Sequence, residues 1–489
     1  MGEDAGAARL LAALEALRAD VAGEGRARYR AFRPLIERPD FAACALNLAH
    51  YLALRRRDHR SLQRELMLRG LSSLGRLEGR VLATLDAVAV ALAGLSGCET
   101  AARAPSRRAF FRGEARLRTA TDALFGPARP DRQGRILVTL PSDAADDPAL
   151  VRALAAAGID AARINCAHDD PRAWAAMVEH VRAAQARTGR PIRILMDIAG
   201  PKIRTGAVLA PEERAKLRVG DRLLLAPRLV PEAAGALPFQ ATCTLPAVLD
   251  RLGEGARVSV DDGRIAGRVA ARAHGGVVVE IAATKLGGAK LKPEKGLNFP
   301  ETALDLDPLT DRDRADLDFV AAHADLVGYS FVQTAADVAR LQAELAARTD
   351  RTIGLVAKIE TPVAVRNLPE IIVAAAGRQP FGVMIARGDL AVEIGFDRLA
   401  EMQEELLWIA EAASVPVIWA TQVLETLVKS GLPSRGEMTD AAMAARAECV
   451  MLNKGPNVLA AIGALDGLFR RMAEHQSKKT PTLRALRSW

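Results

Sequence analysis

The spacing of hydrophobic residues divides the chain into two parts. Before about residue 132, apolar positions recur at helical intervals, as in Ala8–Val21, Phe41–Leu54 and, apart from its glycines, Leu62–Leu92. From Gly134 onward, short apolar runs alternate with amphipathic segments of helical period. The pattern predicts an N-terminal helical extension followed by an α/β region.

Eight short apolar runs after Gly134 predict β-strands. They are Ile136–Leu140, Ala161–Cys166, Arg193–Asp197, Leu326–Phe331, Gly354–Ile359, Gly382–Ala386, Val415–Ala420 and Cys449–Leu452. Helical segments such as Pro171–Thr188 and Leu399–Ala413 separate most of them. Eight consecutive strand–helix units favour a (β/α)8 TIM barrel, whose active-site residues lie at the carboxyl ends of the strands.

Residues 207–297 interrupt this alternation between the third and fourth strands. Glycines and strand-like runs, among them Arg222–Leu225 and Gly276–Ile281, predict an inserted small β domain. The expected organisation is a helical extension at 1–132, a barrel at 133–206 and 298–475, a β-barrel lid domain at 207–297 and a polar tail at 476–489.

Composition excludes several classes of protein. Half of the 489 residues are hydrophobic and 26% are charged, which excludes disordered, collagen-like and small disulfide-rich chains. The apolar runs are shorter than the roughly 20 residues of a membrane span, and the first residues are acidic, unlike a secretory signal. The five cysteines show no metal-ligand spacing. We therefore expect a cytoplasmic protein with free thiols and no membrane partner.

The excess positive charge is confined to one segment. Residues 1–132 contain 23 arginines, no lysine and 15 acidic residues, which accounts for the whole net charge of +8. Such a segment can attract nucleic acid, anionic membranes or phosphorylated ligands. It lacks interleaved aromatic residues and any nucleic-acid-binding motif, so a solvated helical face is the favoured interpretation and no nucleic acid partner is expected.

Charged residues at the ends of two neighbouring predicted strands indicate chemistry. Lys358 and Glu360 end the fifth strand on one face, and Asp389 follows the sixth. A lysine at this end of a barrel can stabilise negative charge on a phosphoryl group or an enolate. Two carboxylates on adjacent strand ends suit a hard divalent ion that keeps some waters and binds phosphate oxygens.

Further polar residues follow the second, third and seventh strands. They are Arg163, Asn165, His168, Asp197, Lys202, Arg204 and Thr421. The cations among them are what a phosphate-transferring site requires. The chain has neither a Walker motif nor a GxGxxG fingerprint after a strand, which excludes P-loop and Rossmann enzymes.

Taken together, these residues resemble the pyruvate kinase family over roughly residues 133–472. The matching segments, in order, are Ala-Arg-Ile-Asn-Cys-Ala-His (162–168), Leu-Met-Asp-Ile-Ala-Gly-Pro-Lys-Ile-Arg-Thr-Gly (195–206), Val-Asp-Asp-Gly (260–263), Lys-Gly-Leu-Asn-Phe-Pro (295–300), Ser-Phe-Val (330–332), Ala-Lys-Ile-Glu (357–360), Ala-Arg-Gly-Asp-Leu (386–390) and Ala-Thr-Gln-Val-Leu-Glu (420–425). The resemblance does not include the first 132 residues, and the family's C-terminal regulatory domain has no counterpart here.

The resemblance implies transfer of a phosphoryl group from phosphoenolpyruvate to ADP, giving pyruvate and ATP. It implies that Glu360 and Asp389 hold Mg²⁺ or Mn²⁺, that Arg163 binds the phosphate and that Lys358 stabilises the phosphoryl group in transfer. The substrate carboxylate is expected at Gly388, Asp389 and Thr421, with Thr421 also in the network that protonates the enolate. The nucleotide side is expected to comprise Asn165, His168, Arg204 and, from the lid, Lys295.

One departure from the family concerns its monovalent-cation site. Asn165 and Asp197 match two of its ligands, whereas Ala167 and Ile198 replace two hydroxyl residues. The family's usual glutamate in Gly-Pro-Glu-Ile-Arg is Lys202 here. We expect the ammonium of Lys202 to take the place of potassium beside Asn165 and Asp197, so that potassium is not required.

Other departures leave alternative functions open. Asn453-Lys454-Gly455-Pro456 replaces the family's Ser-Gly-Glu-Thr after the eighth strand, which leaves room for another phosphoryl acceptor. A catalytically weak relative that binds ligand and signals through its extension is a third possibility. With no C-terminal domain in the match, a homodimer and no activation by fructose 1,6-bisphosphate are expected.

Overall fold

The computed structural model describes residues 2–481 of the chain. Its first 125 residues form the helical extension, which within the described residues has six α-helices. They are α1 (Gly2–Phe32), α2 (Pro39–Leu54), α3 (Arg60–Leu68), α4 (Val81–Ser96), α5 (Arg107–Phe110) and α6 (Arg112–Phe125). The single helical period over Leu62–Leu92 is thus two helices, because the chain turns after α3 at Gly70, whose φ is +70°.

Helix α4 forms part of the core of the extension. By length and hydropathy, Glu78–Ser96 is the one helical stretch among the described residues that could cross a membrane, a feature that the sequence analysis did not identify. Its Val81, Leu85 and Leu92 are fully buried in the same core as Leu14 of α1. The core helix of a globular protein has the same composition, so the packing accounts for the hydropathy.

The α/β region begins with two strand–helix units and a third strand, and then leaves the barrel for the lid. The first elements are β1 (Arg135–Thr139), α7 (Pro148–Ala157), β2 (Ala161–Asn165), α8 (Pro171–Thr188) and β3 (Arg193–Ile198). The lid strands are β4 (Thr205–Leu209), β5 (Lys216–Leu217), β6 (Arg222–Ala226), β7 (Phe239–Cys243), β8 (Arg257–Val260), β9 (Ile265–Ala273), β10 (Gly276–Thr284), β11 (Ala289–Lys290) and β12 (Leu297–Asn298). Seven of them form one sheet in the order β12-β8-β9-β10-β6-β7-β4, around its own apolar core.

The chain then returns to complete the barrel. The strands are β13 (Leu326–Tyr329), β14 (Gly354–Ile359), β15 (Phe381–Ala386), β16 (Val417–Ala420) and β17 (Cys449–Leu452). The helices are α9 (Asp311–His323), α10 (Ala335–Ala346), α11 (Pro362–Arg366), α12 (Leu368–Ala376), α13 (Arg387–Ile394), α14 (Phe396–Ala412), α15 (Glu425–Ser430), α16 (Arg435–Ala444) and α17 (Val458–Ala473). Eight strands close the barrel in the order β1-β17-β16-β15-β14-β13-β3-β2, which confirms the predicted fold class.

Two predicted strands are shorter in the structure than in the sequence pattern. The fourth ends at Tyr329 because Phe331 has a φ of +56°, which lies outside the extended region. The seventh begins at Val417, after Pro416, which has no N–H for the ladder, and after Ser414, whose φ is +53°.

The end of the extension closes the amino-terminal end of the barrel. Leu124 and Phe125, at the end of α6, are buried in a cluster with Val356 and Ile418 from the barrel interior. Gly382 makes room for this plug, since a Cβ there would lie 2.6 Å from Leu124 Cδ2. The extension is therefore packed into the barrel, and a side chain at Gly382 would force this contact to move.

The predicted polar tail is partly structured. Residues Gln476–Ser477 (β18) and Thr480–Pro481 (β19) form a hairpin, and residues 482–489 lie outside the described part of the chain. Between the two strands, the ammonium of Lys479 is paired with buried Glu78 and lies 4.5 Å from the Trp408 ring centroid. The hairpin thus connects the extension to the barrel helices, a role that its short polar sequence did not indicate.

A carboxyl group beneath this hairpin titrates near neutral pH. Burial raises the pKa of Glu411 in α14 to about 7, and the neighbouring carboxylates of Glu78 and Glu448 add to the rise. Lys478 and Lys479 oppose it. Because the pKa of Glu411 is higher in the folded than in the unfolded chain, the folded state binds the extra proton, and its stabilising effect is lost as the pH rises from 4.5 to about 7.

We predict that Glu411→Gln, which mimics the protonated acid, has little effect on stability at pH 5 and raises the free energy of unfolding at pH 8. The increase should be on the order of 3 kcal/mol at most. Urea unfolding at the two pH values measures it. Glu405→Gln, an exposed carboxylate on the same helix, serves as the matched control and should behave as the parent chain does. Equal gains at both pH values for Glu411→Gln would contradict the prediction.

Candidate active site

The carboxyl ends of the barrel strands bring together most of the residues predicted from the sequence. Arg163 lies in β2, Asp197 in β3 and Lys358 in β14. The strands are parallel, and Asn165 of β2 is directly paired with Asp197 of β3. Lys358 is paired with Met384 of β15, the strand that leads into Asp389. Parallel register therefore places these residues along one rim of the barrel.

Lys358 lies at the centre of a buried polar group. Its Nζ is 2.7 Å from Ser330 Oγ, 3.1 Å from Glu360 Oε1 and 3.5 Å from Asp197 Oδ2. Burial alone would lower the pKa of this lysine, but Asp197 and Glu360 outweigh it and raise the pKa. Lys358 is consequently a fixed positive charge in a site of low solvent access, where such a charge acts strongly on an anion.

Asp197 links Lys358 to Arg163. The Nε of Arg163 lies 2.8 Å from Asp197 Oδ2, and its Nη1 lies 3.2 Å from Thr139 Oγ1 of β1. Asp197 is 1% exposed, and although burial favours its neutral form, Lys358 and then Arg163 lower its pKa. The carboxylate therefore stays ionised and holds both cations at the rim.

The two predicted metal carboxylates lie near each other. Glu360 is 2% exposed and accepts a hydrogen bond of 2.7 Å from the Phe331 backbone N–H, whose left-handed conformation presents it. Burial raises the pKa of Glu360 most, and the negative charge of Asp389 raises it further, against Lys358. Glu360 and Asp389 thus place two negative charges close together and offer only oxygen atoms as ligands. Both features match the ligand preference of Mg²⁺ or Mn²⁺.

These two carboxylates leave coordination positions for other ligands. Among residues 2–481, no group of three or more His, Cys, Asp or Glu side chains is arranged to hold a metal ion. Mg²⁺ is commonly bound by one or two carboxylates together with waters and substrate phosphates. Glu360 and Asp389 fit that pattern.

Lys202 lies elsewhere than the sequence predicted. Its Nζ is 3.0 Å from both carboxylate oxygens of Asp389, whereas Asp197 is paired with Arg163 and Lys358. The expected grouping of Lys202 with Asn165 and Asp197 is thus replaced by a pair with Asp389. The reason is that Asp197 already has two cations, whereas within residues 2–481 the Asp389 carboxylate has, besides Lys202, only the Asn298 Nδ2 as a hydrogen-bond partner, at 3.5 Å.

Thr421 adopts a conformation that is uncommon for a β-branched residue. Its φ is +65°, and those of Gln422 and Leu424 are +57° and +50°. The Thr421 hydroxyl accepts a hydrogen bond of 2.9 Å from the Gly388 backbone N–H, so the predicted pair at the ends of β15 and β16 is in contact. Strained backbone of this kind persists only where its surroundings enforce it.

Arg387 holds the backbone at Thr421 in this conformation. Its guanidinium donates to the carbonyl oxygens of Ala420, at 3.0 Å, and of Thr421, and it is paired with both oxygens of Asp440 in α16. The guanidinium also lies 5.0 Å from the Trp419 ring centroid. Arg387 is 6% exposed, so its donors are committed to holding the Thr421 turn.

The residues predicted for the nucleotide side divide between barrel and lid. Asn165 caps its own turn, accepting from the Ala167 N–H at 3.2 Å. Burial lowers the pKa of His168, and the positive charges of Lys454 and then Arg204 lower it further, so this imidazole is neutral at pH 7. On the lid, Lys295 Nζ is paired with Asp261 Oδ1 at 3.0 Å.

Comparison with known proteins decides the family. A family model described as "Pyruvate kinase, barrel domain" matches residues 131–457, more than half of the chain. The chain belongs to the pyruvate kinase family. The resemblance inferred from its motifs is thereby confirmed.

Curated pyruvate kinases are similar to parts of this chain. The relative from Geobacillus stearothermophilus is 35% identical over 294 residues, covering 59% of this chain and 47% of the relative. The one from Agrobacterium vitis is 34% identical over 332 residues, covering 66% and 65%. A pyruvate kinase of Mycobacterium tuberculosis is 32% identical over 364 residues, covering 72% of both. The chain therefore spans about half to two thirds of the length of the first relatives, and its own activity and substrates are matters for proposal.

Several residues that shape this pyruvate kinase site lay in the recognised motifs but were given no role. Ser330 is the closest hydrogen-bond partner of Lys358, and Arg387 holds the Thr421 turn. Asn298 joins the lid to α13, with its Nδ2 3.1 Å from Glu393 Oε1. Their positions within the family motifs were the only indication that these residues matter, because their hydrogen-bond partners lie far away in the sequence. Asp440 lies outside the motifs and gave no signal.

We predict that Asp440→Ala lowers the free energy of unfolding by about 2–3 kcal/mol, because it leaves the buried guanidinium of Arg387 without its carboxylate. Urea unfolding measures the loss. Glu401→Ala, which breaks the exposed Arg398–Glu401 pair, is the matched control and should cost less than about 1 kcal/mol. An equal, small loss in both variants would contradict a structural role for the Arg387–Asp440 pair.

Proposed function

We propose that this chain transfers the phosphoryl group of phosphoenolpyruvate to ADP, giving pyruvate and ATP. The observation that carries the proposal is the buried arrangement of Lys358 against Asp197, Ser330 and Glu360 at the barrel rim. A buried, permanently charged lysine with its carboxylates at the mouth of a barrel is suited to stabilising a phosphoryl group in transfer. Family membership supports the same reaction.

The rim offers separate contacts for the two ends of phosphoenolpyruvate. Arg163 and Lys358 present cations for the phosphate, and both are already oriented by Asp197. The Asp389 N–H group, in the first turn of α13, and the Thr421 hydroxyl would bind the carboxylate, and the Gly388 N–H, which donates to that hydroxyl at 2.9 Å, would exchange it for a carboxylate oxygen. Backbone N–H groups at a helix start favour an anion.

Glu360 and Asp389 would hold the divalent ion, Mg²⁺ or Mn²⁺. When bound, such an ion neutralises charge on phosphate and enolate oxygens. In its absence the ammonium of Lys202 neutralises Asp389. Lys202 would therefore keep the carboxylate oriented until the ion arrives.

The chain's own residues then act mainly by positioning and by neutralising charge. A β-phosphate oxygen of ADP attacks the phosphorus, and the bond from phosphorus to the enol oxygen breaks, which leaves enolpyruvate. Lys358 and Arg163 remain beside the transferred group throughout. Protonation of the enolate at its terminal carbon gives pyruvate, and Thr421, held in place by Arg387, is positioned for the network that delivers this proton.

The nucleotide would bind between Asn165, His168 and Arg204 on the barrel and Lys295 on the lid. Arg204 donates to the Glu294 carbonyl at 3.2 Å, so it stands where the two domains join. A neutral His168 can accept a hydrogen bond from the nucleotide, while the surrounding cations bind its phosphates. Lys295 would exchange Asp261 for a phosphate oxygen when the nucleotide enters.

Pyruvate release from phosphoenolpyruvate, ADP and Mg²⁺ tests this function. We expect turnover by the parent chain and a loss of about 10²–10³-fold or more in kcat for Lys358→Met, since one charge that acts in the transition state is removed. Lys429→Met, an exposed lysine on α15 (62% exposed side chain), is the matched control and should keep full activity. Absence of turnover with ADP would contradict ADP as the acceptor. Other phosphoryl acceptors would then be tested, because Lys454 of the altered loop lies near His168.

We also propose that potassium is not required. Ala167 and Ile198 supply no side-chain oxygen to a monovalent ion, whereas Lys202 supplies a fixed positive charge at the same rim, on Asp389. A bound potassium ion would thus have poor ligands and would add charge where a cation already lies.

We predict equal turnover in sodium and in potassium buffer of the same ionic strength. Lys202→Met should lower turnover in both salts, because Ala167 and Ile198 offer no side-chain oxygen with which a monovalent ion could bind and replace the lost charge. Initial rates of pyruvate release measure both effects. A parent chain that turns over only with potassium would keep the kinase and refute the role of Lys202.

A further inference from the structure

A cavity of about 260 Å³ lies between the helical extension and the amino-terminal end of the barrel. Its walls come from the extension (Arg80, Leu117), from the start of β1 (Arg135), from α17 (Phe469) and from the hairpin (Lys478). Arg135 is the first residue of β1, whereas the proposed active site is at the opposite ends of the strands. Most of this wall lies outside the region that matches the family model.

The cavity is built by close backbone packing within the extension. Gly79 and Gly113 both line it, and a Cβ on Gly113 would lie 2.1 Å from the Gly79 carbonyl oxygen. The two glycines allow the segment before α4 to touch the start of α6. This contact fixes the spacing of two segments of the extension at the cavity wall.

Arginine donors around the cavity are left without acceptors. Arg76 and Arg118 line it, are exposed, and have no partner among the described residues. Arg80 is paired with Glu114, and Arg446 with Glu404, but the Nε atoms of both arginines are buried without a hydrogen-bond acceptor. Unpaired guanidinium groups of this kind favour an anionic ligand that can accept several hydrogen bonds.

The acidic residues of the wall do not cancel this preference. Glu448 is paired with Lys478 and accepts from the Val417 N–H at 2.9 Å, and Glu114 is held by Arg80. Burial raises the pKa of Glu411 to about 7, so this residue carries only part of a negative charge at neutral pH. The two arginines without partners therefore provide charge that matches a dianion.

The remaining wall is apolar. Phe110, Leu117, Phe469 and Met472 line it, and Arg80 stacks 4.7 Å from the Phe110 ring centroid. A ligand for this cavity needs an anionic end for the arginines and a body that packs against these side chains. Inorganic phosphate alone would leave that part unfilled.

We propose that this cavity is a second binding site, specific for a small phosphomonoester whose phosphate binds Arg76 and Arg118 and whose organic part packs against Phe110 and Phe469. The site does not depend on the proposed kinase activity. It is a property of the extension and the hairpin, which together cover the amino-terminal end of the barrel.

Isothermal titration calorimetry on the full chain tests the site with AMP, glucose 6-phosphate and inorganic phosphate. We expect at least one of the two phosphomonoesters to bind more tightly than inorganic phosphate. Arg76→Ala with Arg118→Ala should weaken that binding at least tenfold. Ala473→Trp, which places an aromatic ring at the exposed edge of the cavity, should abolish it by filling the space.

Arg103→Ala is the matched control, since Arg103 is an exposed arginine of the extension outside the cavity wall, and it should bind as the parent chain does. Binding that survives both the double arginine variant and Ala473→Trp would place the ligand at the active site and overturn the proposal. No binding of either phosphomonoester to the parent chain would overturn it as well.

Discussion

The ionised carboxylate of Asp197 organises the rim of the barrel. It lies between Arg163 and Lys358, and those two cations keep it charged in spite of its burial. A neutral residue here would leave Arg163 without its carboxylate and Lys358 with Glu360 alone, and removing one partner of a buried ion pair is strongly destabilising. Because the carboxylate takes up part of their charge, both cations can be held rigidly where a phosphate would bind.

Pairing of opposite charges also explains the position of the Lys202 side chain. Asp197 already has two cations, whereas the Lys202 ammonium lies 3.0 Å from both oxygens of Asp389. Glu360 has Lys358 in the same way. Asp197, Glu360 and Asp389 are thus each paired with a lysine or arginine before any ligand is present, so binding an anion or a divalent ion exchanges partners and does not create isolated charges.

Periodic and local features of the structure followed from the sequence, and features that depend on distant contacts did not. The eight strands and the neighbouring positions of Lys358, Glu360 and Asp389 follow from alternation along a strand and from the strand–helix repeat. The partner of Lys202 lies 187 residues away and that of Arg387 lies 53 residues away, and no period connects them. The hairpin at 476–481 escaped notice because two-residue strands have no detectable alternation.

The two ends of a barrel have different structural requirements, and the extension packs at the end that does not carry the proposed chemistry. Chemistry at the carboxyl ends demands particular side chains, whereas the amino-terminal ends need only to be closed. Here Leu124 and Phe125 fill the opening, and Gly354 and Gly382 at the starts of β14 and β15 leave space for Leu124. Closing the barrel requires only that short segment, so the rest of the extension can form a second surface. Arginines and glycines of the extension line a cavity at that surface, at the end of the barrel opposite to the rim.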